Sequence, residues 1–318
     1  MDFTRRIPHF PVSFFSIVMG LVGFVIALEK AVEIIEIPGT VPLVVLVTSS
    51  VVFFSIGAVY LAKFFLHKEE IVKEFKHPIK ISFFPTFSVS LLLFSIALLP
   101  FSHVLSFGVW LIGAVIHVMF TFVIMGQWIK HDRYQIEHLS PIWFIPVVGN
   151  LLIPVAGSAF VPGELLWPFF SIGLLFWIML MTMIVYRIFF HPSLSEKIKP
   201  TMFILIAPPA IAFISYFKLT HQVDSFSRIL YYFSFFLALL LLLNVRTFIS
   251  KRFYLSLWAF TFPLTAVSTA SALMFNVSKL AAFKYIFISF LGISGLMIVV
   301  LIYRTIKAIY LHEICQAD

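Results

Sequence analysis

The chain has 318 residues, 61% of them hydrophobic and 11% charged, and its mean hydropathy is +1.07. Soluble domains carry about 25% charged residues, so this composition excludes a soluble enzyme or binding module and calls for a polytopic membrane protein. The net charge of +8 reads as a topology signal rather than a nucleic-acid footprint, and one cysteine, Cys315, allows neither an intramolecular disulfide nor a cysteine-based metal site.

About 20 apolar residues cross the hydrocarbon core. Ten such runs follow one another, at about 12–35, 41–66, 78–100, 103–129, 141–161, 165–190, 201–219, 225–249, 254–275 and 281–310. Arg5 and Arg6 precede the first run as in a secretory signal. That run is longer than the apolar core of a signal and has no small-residue cleavage site, so it is expected to be the first spanning helix. The connections are too short for a soluble domain, which leaves 1–318 as one transmembrane domain. If sides alternate at each crossing, 17 Lys and Arg fall on the side holding both termini, from Arg5 and Arg6 through Lys63, Lys80, Lys130, Lys251 and Arg252 to Lys307. Five fall on the other: Lys30, Lys218, Arg228, Lys279 and Lys284. The positive-inside rule then places both termini in the cytoplasm of a cell whose inner membrane holds the chain.

Interior prolines mark the odd-numbered runs. Pro85, Pro146, Pro208 and Pro263 recur at nearly even intervals, in runs 3, 5, 7 and 9. Pro11, Pro78, Pro141 and Pro200 stand at or near the starts of odd runs. Even runs are nearly free of interior proline, and Pro168 lies in a first turn, where proline is tolerated. Mid-helix, a proline removes a backbone donor and costs roughly 3 kcal/mol, and broken backbone at membrane depth survives where it lines a cavity or is buried in protein. The pattern predicts a repeat of about 60 residues, a helical hairpin whose first helix is bent. The hairpins fall at about 11–66, 78–129, 141–190, 200–249 and 254–312. The expected fold is all-α: ten transmembrane helices as five hairpins with pseudo-fivefold symmetry, odd helices inside around a central pore and even helices outside.

The span centres offer little chemistry. Lys63, Lys130, Arg187, Arg246 and Arg304 stand near cytoplasmic helix ends, where snorkelling accounts for them. Glu29 and Glu33 mark the outer end of helix 1, and Glu164 and Asp224 stand at outer helix starts, suiting the helix dipole. His117 is alone on helix 4 and reads as hydrogen-bonded packing, while Asn150 and Asn244 read as interhelical hydrogen bonds. His131 and His138 share a loop without a metal-site pattern, and no Walker loop, HExxH or GxSxG occurs. No catalytic residue, metal or cofactor is expected. The odd helices do carry aromatic bulk at their prolines: Phe83 and Phe84 before Pro85, Trp143 and Phe144 before Pro146, Phe260 and Phe262 before Pro263. An apolar constriction of that kind can close a pore by blocking or dewetting it.

Three stretches carry a resemblance. "HPIKISFF" (77–84), "SPIWFIPVVGN" (140–150) and "LWAFTFPLT" (257–265) resemble helices 3, 5 and 9 of the TehA proteins and plant slow-type anion channels, the tellurite-resistance/dicarboxylate transporter family. "MFILIAPPA" (202–210) adds a match on helix 7. The resemblance implies five hairpins around a pore, a homotrimer with one pore per subunit, and an occluding phenylalanine on helix 9, here Phe262. Helix 1 departs from the pattern, with Ser16 and Val18 in "FPVSFFSIVMGL". The reading is an anion channel or channel-like exporter for inorganic or small organic anions. Its alternative is a secondary transporter for C4-dicarboxylates or a related oxyanion. Phe15, Ser16, Ser82, Phe84, Pro85, Phe144, Pro146, Pro208, Thr261, Pro263 and Thr265 are the pore-lining or kink candidates, and Lys80 is expected to draw anions to the cytoplasmic mouth.

Overall fold

Each interior proline sits where the backbone changes helix type. The computed structural model describes residues 6–249 and 252–315; Arg5 and Lys251, counted above in the charge asymmetry, lie outside them. Within the described residues the chain forms α1 (Phe15–Ile35), α2 (Thr40–Leu66), α3 (Lys68–Lys76), α4 (Thr86–Leu98), α5 (His103–Lys130), α6 (Ile145–Val148), α7 (Ile153–Gly157), α8 (Trp167–Phe190), α9 (Ala207–Thr220), α10 (Ser225–Leu243), α11 (Val245–Phe248), α12 (Thr261–Ser278) and α13 (Ala281–Tyr310), with no strand. Short 3-10 stretches lead into the inner crossings: Val12–Phe14 before α1, Lys80–Phe83 before α4, Pro141–Phe144 before α6, Lys199–Ile206 before α9 and Leu255–Phe260 before α12.

Pro85 caps α4, and Pro146, Pro208 and Pro263 fall within the first three residues of α6, α9 and α12. The first four N–H groups of an α-helix have no intrahelical acceptor, so a proline there forfeits little. This corrects the expectation of costly mid-helix breaks: the prolines begin the α-helical part of each crossing.

Among the described residues, nine crossings are long and apolar enough to span a membrane by themselves. The other, Pro141–Gly157, is shorter and alternates 3-10 turns (Pro141–Phe144, Gly149–Leu152) with α6 and α7. A 3-10 residue rises about 2.0 Å against 1.5 Å in an α-helix, so this segment still extends about 30 Å, the thickness of the hydrocarbon core.

Crossings alternate in burial. Val12–Ile35, Lys80–Leu98 and Lys199–Thr220 are each 72% buried and Leu255–Ser278 is 78% buried, whereas the five long crossings between and after them are 22–39% buried. The outer helices turn large apolar side chains outward, such as Phe54 on α2, Phe122 on α5 and Leu296 on α13. Each outer helix packs on the inner one before it: α2 on α1, α5 on α4, α8 on α6, α10 on α9 and α13 on α12. The inner crossings meet in a closed cycle, α1 with α4, α4 with α7, α7 with α9, α9 with α12 and α12 with α1.

Polar side chains tie the two layers together where lipid offers no alternative partner. Trp110 Nε1 donates to the Ile153 carbonyl (2.9 Å), Trp258 Nε1 to Thr305 Oγ1 (3.0 Å) and Ser268 Oγ to the Phe287 carbonyl (3.0 Å). His117, fully buried, pairs its Nδ1 with Ser88 Oγ at 2.9 Å. Asn150 donates to Thr121 Oγ1 (2.9 Å), and Thr121 donates in turn to the Pro146 carbonyl (2.7 Å). Asn244 differs from its expected role: it donates to Leu240 in its own helix, at an exposed site.

Candidate functional site: an apolar throat between two cavities

The inner crossings enclose a cavity of about 1230 Å³. Polar and charged groups line it at one end, among them His9, Lys73, His77, Lys80, Lys197 and Arg252. Deeper, its wall is apolar: Val89, Phe144, Val148, Leu152, Ile211, Phe262 and Pro263. A second cavity, about 30 Å³, is lined by Gly23, Ile26, Leu93, Ile96, Leu152, Val155, Ile211, Ile214, Phe262, Thr265, Ala266 and Thr269. Every inner crossing therefore contributes to it. Three residues line both cavities: Leu152, Ile211 and Phe262.

Phe262 is the bulkiest of the three. It is the second residue of α12 and partly exposed, between the buried Thr261 and Pro263. Its position depends on α1. A Cβ added at Gly23 would lie 3.0 Å from Phe262 Cδ2 and 2.6 Å from Thr265 Oγ1, and one at Gly20 would lie 2.0 Å from Thr261 Oγ1. The two glycines, one helical turn apart, let α12 lie against α1 with its first turn in the throat. Thr265 donates to the Phe262 carbonyl (2.8 Å), and Thr261 to the Trp258 carbonyl (2.7 Å).

The expected site residues divide into two groups. Ser16, Phe144, Pro208, Pro263 and Lys80 line the large cavity, Thr265 the small one and Phe262 both. Phe15, Ser82, Phe84, Pro85, Pro146 and Thr261 line neither. Phe15 is packed on Phe53 and Phe87, and Phe84 on Phe75, both in the interhelical core. Ser82 and Thr261 are completely buried, and Pro85 and Pro146 are buried at the starts of their helices. The physical reason is common to all six: a residue beside a helix start on an inner crossing has several buried directions, and only one faces the axis.

Several wall residues escaped the sequence reading, notably Gly23, Leu152 and Ile211. The Gly-x-x-Gly spacing of residues 20–23 was the available signal for the first; the aliphatic pair had none among so many aliphatics. Lys63 was also misplaced by that reading. It does not reach to the lipid interface but is 3% exposed and paired with Glu74 (2.9 Å), itself 6% exposed, while donating to the Phe10 carbonyl (2.9 Å). Glu74 also accepts from the Val12 backbone N–H (2.8 Å) and the Tyr60 hydroxyl (3.3 Å). This cluster fastens α3, α2 and the chain entering α1 around the charged end of the cavity. Nearby, the exposed Glu70 carboxylate and Lys73 ammonium hold each other ionised by a 2.6 Å hydrogen bond, lowering the first pKa and raising the second. Burial pushes the Cys315 thiol up to about 11, which favours its protonated form. Among the described residues no three His, Cys, Asp or Glu side chains gather as a metal site.

Chemically, the arrangement offers a charged vestibule, an apolar throat and a hydroxyl-bearing far side. That is the architecture of a protein that passes or binds small solutes across a membrane, the channel and transporter class. Residues 9–306 match the model of the voltage-dependent anion channel (SLAC1) family, and the chain belongs to that family. It is 26% identical to the S-type anion channel SLAH2 of Arabidopsis thaliana, over 98% of this chain and 60% of that protein. It is 24% identical to the guard cell S-type anion channel SLAC1 of the same plant, over 83% of this chain and 49% of the relative. Identity to the tellurite resistance protein TehA homolog of Haemophilus influenzae is 22%, over 96% of this chain and 94% of that protein. The chain thus spans 49–60% of these plant relatives' length, and nearly all of the bacterial one's.

Proposed function

We propose that the chain is an anion channel, or channel-like anion exporter, whose central path is closed by the Phe262 ring. The observation that carries this reading is the position of Phe262 in the walls of both cavities, with the path narrow on one side of it and wide on the other. Five hairpins about a pseudo-fivefold axis, odd crossings inside, are the arrangement we infer from the cyclic packing and the alternating burial. The chain is proposed to lie in the cell membrane with both termini cytoplasmic and to assemble as a homotrimer with one path per subunit. The permeant species are inorganic or small organic anions. Selectivity then comes from the basic vestibule, including Lys80, and from hydroxyls such as Thr265, without a fixed charge in the throat that would trap the ion.

The test is chloride efflux from liposomes loaded with purified protein. A barrier lowered by about 1.4 kcal/mol gives about tenfold in rate, and Phe262→Ala should raise efflux by about that much or more. A correctly folded Phe262→Ala protein with wild-type efflux would refute the assignment. Steps of single-channel current distinguish a channel from a dicarboxylate transporter, which would instead show saturable flux coupled to a gradient.

A further inference from the structure

On the far side of the throat, two lysines extend the faces of two helices that line the small cavity without being side by side. Ile26 of α1 and Ile214 of α9 line the small cavity. Lys30 and Lys218 stand four positions further along the same helices, hence on the same faces and one turn beyond the cavity. α12 packs between α1 and α9, touching both, so the two lysines continue the wall of the small cavity from helices on either side of α12.

The two ammonium groups are not equivalent. Lys30 Nζ donates to Glu33 Oε1 at 2.7 Å, also on the α1 face that continues from Ile26. Lys218 is partly buried, with no hydrogen bond or ion pair to a described residue. Glu29, next to Lys30 in the chain, has its Oε1 buried and unpartnered. If most Lys and Arg lie on one membrane side, two of the five opposite ones stand on helix faces that continue from the small cavity.

We infer that Lys30 and Lys218 form an anion-binding site at the outer mouth of the path, and that the Glu33 carboxylate occupies part of it in place of the ion. This rests on the reading of the central path as an anion route. The site suits a small inorganic anion. Ammonium groups are point charges, lacking the planar fork with which arginine grips a carboxylate in two places, and the cavity below, of about 30 Å³, has room for small species only. An ion arriving at the site takes over Lys218 directly and competes with Glu33 for Lys30.

The experiment has two readouts. In the Phe262→Ala background, the external chloride concentration giving half-maximal flux should rise about threefold or more in Lys218→Met and fall in Glu33→Gln, with the internal half-saturating concentration unchanged. Independently of conduction, the 35Cl NMR line broadening produced by the detergent-solubilised wild-type background should shrink in Lys218→Met and grow in Glu33→Gln. If Phe262→Ala does not conduct, the channel reading fails and the line widths alone decide the site. Line widths and external half-saturation unchanged in both variants, with folding intact by size exclusion, would overturn the inference. So would equal effects from both membrane sides.

Discussion

Phe262 and Gly23 act as one device in two pieces. The ring reaches the throat only because α1 presents no side chain at residue 23. Gly23→Ala places a methyl where the ring edge and the Thr265 hydroxyl now lie, so the ring must turn or α12 must withdraw. Overpacking of this sort costs about 1–3 kcal/mol. The expected outcome is lower thermal stability together with chloride efflux between wild type and Phe262→Ala. Wild-type efflux with unchanged stability would show that the ring position does not depend on α1. Phe262 was legible in the sequence through its place before Pro263 and through the family resemblance. Gly23 was not singled out, because it belongs to the first crossing and the ring it accommodates to the ninth, and only the packing joins them.

At the scale of elements, α3 is the segment the sequence concealed. Its residues are charged and short of the length needed to span, so they read as a connection. In the fold, Glu74 of α3 enters the protein and pairs with Lys63 of α2. Removing one partner of a buried ion pair costs about 3–5 kcal/mol, while replacing both by apolar groups is often neutral. Glu74→Ala should therefore lower the melting temperature in detergent clearly, and Lys63→Met combined with Glu74→Leu should recover a good part of the loss. Failure of the double variant to recover would place the weight on the hydrogen bonds from Val12 and Tyr60 instead. The prolines teach a related lesson. Their spacing marked four of the five buried crossings, Val12–Ile35 having no interior proline, but not the local geometry, because a sequence does not distinguish a kinked α-helix from a 3-10 lead-in that becomes α at the proline.

For the whole molecule, the cycle of inner crossings encloses both cavities within a single chain, and the outer helices leave large apolar side chains exposed. If each subunit of a trimer conducts by itself, oligomers mixed from wild-type and Phe262→Ala chains should carry chloride flux in linear proportion to the mutant fraction. A threshold or a steep power dependence would mean that the path lies between subunits. Hydropathy alone picked out the nine long apolar helices of the described residues and the shorter Pro141–Gly157 segment.

What the sequence determined by itself is everything that belongs to one segment at a time: which runs are apolar enough to enter a membrane and which of them carry proline. Membrane insertion depends on the apolarity of each segment, so no partner is needed to read it. The tertiary structure decided which faces of the inner helices meet at the axis. Helices that are apolar all round carry no periodic signal for their inward face. Leu152, Ile211 and Phe262 were therefore brought into the walls of both cavities by packing among distant segments.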